Sequence, residues 1–352
     1  MAEAPARSRT TPATRTHGPE RASGPLPTQR ARRRYRFVLG TLLALAALFA
    51  GGLLAWDNPM PLGTEGFWRI AELRVTTVVV MLVVAVCQAL ATVSFQTVTN
   101  NRIVTPSLMG FEALYVAVQT AAVYVLGVAG IQLFQGVGQF VLMVALMVAL
   151  SLGLYGWLLA GRYGDIQIML LIGIIIGGGL ASVAAFMQRM LTPSEFDVLT
   201  ARMFGSVSNA DAAYLPMAIP LCLAAGGALW WQAKRLDVVA LGQGACTNLG
   251  VDRRRQVIRV LFLVSVLMAV STALVGPMTF LGFLVATLAY QAANTYDHRH
   301  IFPVSVLIGF VVLAGSYFVM KNVFYAEGVV SIIIEMVGGS VFLLVILRKG
   351  RL

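Results

Sequence analysis

The chain has 352 residues, 58% of them hydrophobic and 12% charged, with a mean hydropathy of +0.81, a composition that excludes an ordinary soluble domain. A hydrocarbon core of about 30 Å takes about 20 apolar residues per helix. Many such windows are present and barrel-like alternation is missing, so the predicted fold class is an all-α polytopic membrane protein. The net charge of +11 raises nucleic acid as a partner, but basic residues in a membrane protein first report which loops face the cytoplasm.

Residues 1–36 hold nine arginines, five prolines and almost no large apolar side chains, and predict a disordered basic cytoplasmic tail. Arg32 to Arg36 precede an apolar run, as in a signal peptide. That run extends from Phe37 to Trp56, nearer spanning length than a cleavable core, and is read as the first membrane helix. Further apolar windows follow at 75–95, 108–126, 137–159, 166–187, 212–231, 257–275, 278–293, 301–320 and 329–347, giving ten spans within a transmembrane region 37–352. The two flanking Gly276-Pro277 also read as one broken helix, which leaves the count open by one or two. With the amino terminus inside, 21 basic residues fall on the cytoplasmic side and 5 outside, so both termini are expected in the cytoplasm of a bacterial membrane. The basic surplus is then explained by orientation, without nucleic acid.

The three lysines, Lys234, Lys321 and Lys349, close no GxxxxGK[ST] loop, so any ATP that drives the protein is bound by another polypeptide. Cys87, Cys222 and Cys246 show no metal or redox spacing and are expected as unpaired thiols; no catalytic or metal-binding residue is assigned. Intramembrane acids are few. Glu112 opens one window, and Glu335 lies inside the last, where an acid hydrogen-bonded within the bundle and a pathway-lining acid are both open readings. The histidines His17, His298 and His300 fall in the tail and a loop. The loop from Lys234 to Arg255 predicts a short interfacial helix with Asp237 as N-cap, stopped by Gly250, whose small residues Gly242, Gly244 and Ala245 admit close approach of another protein. The stretch GIIIGGGLAS sets Gly173 and Gly177 at GxxxG spacing beside Gly178 and Gly179, a pattern for tight packing or for a gate.

FQTVTNNRIVTPSLMG (95–110), LGQGACTNLGV (241–251) and STALVGPMTFLGFLVATLA (271–289), taken together, resemble the iron-chelate permease family of ABC importers, nearest to the petrobactin-type ferric-siderophore permeases of Gram-positive bacteria. The resemblance covers residues 68–347. It implies the type II importer permease fold of about ten helices, paired with a second permease, most simply a paralogue. Two ATPase subunits carrying ATP and magnesium are implied below, and a lipid-anchored binding protein delivering ferric siderophore above. It implies a coupling helix at about 236–251, with Leu241, Gly242, Ala245, Asn248, Leu249 and Gly250 as the ATPase-facing residues. It implies a pathway or gate at Gly177, Gly178, Ser182, Phe186, Met187, Gln188 and Met203, to which Glu335 is added by its intramembrane position alone. By location, Arg69, Arg189 and Arg202 are expected to receive acids of the binding protein, and Arg74 is open to burial at a helix end. Where many relatives carry a Pro-His pair, this chain has Ala286-Thr287-Leu288-Ala289-Tyr290, a departure shared with the petrobactin-type branch.

The expected mechanism is alternating access driven by partner ATPases, with no cofactor bound by this chain. Haem and cobalamin are alternative cargoes. An ion-coupled secondary transporter is a rival from another class, disfavoured by the scarcity of intramembrane ion ligands, and a membrane-embedded enzyme lacks the required side-chain cluster.

Overall fold

A computed structural model describes residues 24–56, 60–61, 63–133, 136–160, 166–207, 210–324 and 330–349. Among these residues the chain is helical: α1 Gln29–Ala55, α2 Glu65–Thr99, α3 Phe111–Leu133, α4 Val137–Ala160, α5 Ile166–Arg189, α6 Pro193–Met203, α7 Leu215–Trp231, α8 Ala233–Ala240, α9 Gln243–Asn248, α10 Arg253–Val275, α11 Leu281–Ala293, α12 His298–Asn322 and α13 Val330–Lys349. Six are long and apolar enough to cross a membrane, and four shorter apolar helices lie in α3, α4, α11 and α13. The six and the four coincide with the ten spans read from the sequence.

Helix α2 is the axis of the bundle. Of its apolar window 78% is buried, against 11% for α1 at the periphery, and α10, α12, α11 and α7 pack around it. In lipid, apolar burial alone gives little reason for helices to associate, so small side chains and interhelical hydrogen bonds carry the specificity. Helix α2 supplies both: small Ala85, Ala89 and Ala91 are buried, and Gln88 Nε2 donates to Ser271 Oγ on α10 at 3.1 Å. Arg74 of α2, partly buried, donates through Nη1 to the carbonyls of Leu53 and Trp56 at 3.3 and 2.6 Å, tying down the end of α1.

Gly276 closes α10, donating its N–H to Thr272 at 2.9 Å, so the Gly276-Pro277 break separates two helices. The chain after α6 is pinned there: Ser206 N–H donates to Val275 at 2.9 Å and Ser331 N–H to Gly205 at 3.2 Å.

Two expectations need correction. Helix α1 starts at Gln29, so residues 29–36 form its first two turns. Thr28 caps them, accepting from Ala31 N–H at 3.1 Å, and the arginines and alanine that look like tail composition are good helix formers. Residues 1–23 lie outside the described part. Second, Glu335 does not face the bundle interior: Ser331, Ile334 and Gly338 form the buried side of α13, whereas Glu335 is exposed beside Ile332 and Met336.

Candidate functional site

The predicted residues fall into three groups. At one end of the bundle the 236–251 loop is two short helices, α8 and α9, joined through Leu241 and Gly242. Helix α8 begins at Ala233, four residues before Asp237, because Ala233, Leu236 and Val239 form a buried apolar stripe against the ends of α2 and α12. Asp237 is therefore not an N-cap. Its Oδ1 accepts from the backbone N–H of His298 at 3.1 Å and lies 2.5 Å from His298 Nδ1.

Gly242 then turns the chain into α9, and Gly250 ends it with φ +68°, a conformation that disfavours a side chain. Helix α9 buries only Cys246. Leu241 and Leu249 are 70% and 61% exposed at its two ends, Asn248 and Gly250 are exposed between neighbours, and Ala245 is half-buried. This is an apolar knob with small flanking residues, bordered by Arg253, Arg254 and Arg255. Cys87, Cys222 and Cys246 are buried free thiols.

Helix α5 has two unlike faces. Gly173 and Gly177 meet the 3₁₀ turn Pro106–Met109 and Gly110 so closely that a Cβ on Gly177 would stand 3.0 Å from Gly110 Cα. Gly177 is thus a packing residue. The other face carries Gly178, Ser182 and Phe186, all exposed, with Ser182 Oγ donating back to Gly178 O at 2.8 Å. Towards the far end Met187 is half-buried, and Gln188 and Met203 come together: Gln188 Nε2 donates to Thr120 Oγ1 at 3.2 Å and approaches Met203 Sδ at 3.6 Å. Glu112, missed as a partner, accepts from Thr279 Oγ1 at 2.5 Å and links α3 to the α10–α11 connection.

Toward the opposite end lies Arg69. Arg69, on the second turn of α2, is about 42 Å along the helix from Thr97 near the first end. Arg69 and Arg189 are exposed. Arg202 is half-buried instead and lines a cavity of about 500 Å³ with Tyr115, Gln119, Asp211 and Tyr214. Between them, α6 opens with a capping box in which Glu195 Oε2 accepts from Thr192 N–H at 2.9 Å and Thr192 Oγ1 at 2.8 Å. These bonds hold the Glu195 carboxyl below the usual glutamate range.

The FecCD transport family matches residues 37–348. The chain is 50% identical over 336 residues to the petrobactin import system permease FatC of Bacillus anthracis, covering 96% of this chain and 95% of that one. It is 24% identical over 288 residues to a second B. anthracis petrobactin permease, FatD, covering 79% and 81%. A solved metal-chelate-type ABC transporter in an inward-facing conformation superposes with a TM-score of 0.76 at 19% identity, covering 89% of this chain and 99% of that one, which supports the fold. The family match spans every helix from α2 to α12 and most of α1 and α13, and the chain is a multi-pass membrane protein of the FecCD transport family.

Proposed function

We propose that this chain is the membrane-spanning permease subunit of an ATP-driven importer of ferric siderophore, of the petrobactin type. Identity of 50% to a petrobactin permease over nearly the full length of both chains carries this reading. The chain is a transport component. The partner reading follows from the relatives: the B. anthracis petrobactin system has two permeases, and the chain is far more similar to one than to the other, which favours a paralogue as the second subunit. Two ATPases bind ATP and magnesium, and a lipid-anchored protein delivers the siderophore. Both termini lie in the cytoplasm.

In this reading α9 is where the ATPases press. Exposed Leu241 and Leu249 are costly in water and are covered in the assembly, while the arginines at the start of α10 are placed for acidic surface on the ATPase. The uncovered face of α5, with Gly178, Ser182 and Phe186, lines the pathway between the permeases, with exposed Glu335 on α13 as a further lining residue. Gln188 and Met203 stand at its outer mouth. Arg69 and Arg189 meet the binding protein; Arg202, being half-covered, contributes from the cavity beneath α6.

The test is siderophore uptake by the reconstituted complex bearing Ala245→Arg or Gly250→Arg. Both place a long cation in the small-residue surface. Loss of uptake with insertion and permease pairing intact supports the assignment; wild-type uptake from both variants overturns it.

A further inference from the structure

Resting on the reading of α8 and α9 as the ATPase-facing segment, we propose that Asp237, His298 and Thr97 form the positioning link by which movement of that segment reaches the spans α2 and α12.

The two short helices are built for different tasks. Helix α9 is held by one buried residue, Cys246, whereas α8 buries Ala233, Leu236 and Val239 to 1% exposure or less. An apolar stripe resists removal from its groove but permits sliding along it, because dispersion contacts have no direction. The polar contact beside the stripe has direction. Asp237 Oδ1 lies 2.5 Å from His298 Nδ1, and an ionised carboxylate only accepts, so that ring nitrogen carries the proton. The same oxygen accepts from the His298 backbone N–H at 3.1 Å, fixing the side chain to the first turn of α12 by two bonds.

The other ring nitrogen, Nε2, stands 2.7 Å from Thr97 Oγ1, whose single hydroxyl proton is shared between that nitrogen and the Val93 carbonyl, 2.8 Å away and one turn back along α2. His298 is 3% exposed and its ring packs against Phe302, whereas the Asp237 side chain keeps 20% of its surface accessible. Three helices distant in sequence are thereby joined by one imidazole.

The start of α12 and the connection before it also form a junction. Tyr35 on α1 donates to the His300 carbonyl at 3.1 Å, and Thr295 donates to the Pro25 carbonyl at 2.8 Å. A shift of α8 is therefore delivered to α12 and α2 directly, and to α1 through Tyr35. The apolar stripe keeps α8 seated, and the Asp237–His298–Thr97 chain makes the spans follow it.

The experiment uses the complete complex in proteoliposomes and measures siderophore transported per ATP hydrolysed. Thr97→Val keeps the shape and removes the hydroxyl; Thr97→Ser restores it. The ratio is expected to fall by about 5-fold or more in T97V and to return to within about 2-fold of wild type in T97S, the range of a typical intersite coupling. Asp237→Asn, which retains an acceptor for the His298 backbone N–H but weakens the contact to the ring, carries the same readout if T97V fails to assemble. A merely structural role lowers the amount of complex and leaves the ratio per assembled complex unchanged, and that result overturns the proposal. Association of the ATPases with Ala245→Arg separates the two readings. If A245R does not bind ATPases and T97V transports at the wild-type ratio, the link is wrong and the docking surface stands; if A245R binds them normally, the docking surface itself is wrong.

Discussion

Replacing Gly177 by alanine tests whether α5 is locked to the 3₁₀ turn by backbone contact. The new Cβ would lie 3.0 Å from Gly110 Cα and 3.5 Å from Gly110 N. Carbon atoms rest at about 3.5–4.0 Å, so the two backbones must part by roughly half an ångström or more. Gly110 has little room to yield, with φ +91° and the carbonyl of Gly173 3.3 Å from its own Cβ direction. Overpacking of this kind costs roughly 1–3 kcal/mol. The adjacent Gly178→Ala is the control, since a Cβ there meets nothing within 4 Å. Both substitutions gain the same helix propensity, about 1 kcal/mol, so the difference between them isolates the close approach. The assay is the thermal unfolding midpoint of the two variants purified in the same detergent. Gly177→Ala is expected to melt several degrees below Gly178→Ala; equal midpoints would refute the locked contact.

Two further predictions follow from the opposite end. Arg69→Glu and Arg189→Glu are expected to slow association of the binding protein, by about 0–1 kcal/mol each as exposed charges, and the effect should shrink as salt is raised; binding kinetics at two ionic strengths check this. Because the Thr192 bonds depress the folded-state value of Glu195, its contribution to the α6 cap is complete above the ordinary glutamate value of roughly 4.3 and is lost as pH falls through the depressed one. Amide protection factors in the first turn of α6 should therefore be flat near neutrality and decline only under acid, with Glu195→Gln insensitive over the same range.

Much of the architecture was legible because a bilayer imposes one dominant rule: each span announces itself as an apolar window with few charges, and ten helices, α1–α5, α7 and α10–α13, fall where those windows lie. GxxxG spacing left packing and a gate both open at Gly173 and Gly177, and the close approach to Gly110 makes Gly177 a packing residue where it had been expected in the gate; the stop at Gly250 was readable from glycine alone. What stayed hidden depends on long-range pairing. Asp237 satisfies every local criterion for an N-cap, but α8 starts earlier because burying Ala233 and Leu236 outweighs the cap. The carboxylate then finds a partner 61 residues away. His298, placed in a loop by its polarity, is buried at the start of α12. Glu112 and Thr279 are 167 residues apart, and no spacing rule connects them. The two faces of α5 differ for a similar reason: the residues alone show a small, apolar helix, and only packing against Gly110 decides which side remains open.

The most direct measurement is uptake of iron-loaded petrobactin into proteoliposomes holding this chain, its partner permease, the ATPases and the binding protein. The account predicts uptake that requires ATP and is indifferent to an imposed proton or sodium gradient. Uptake that persists without the ATPases and follows the gradient would contradict it and make the protein a secondary transporter.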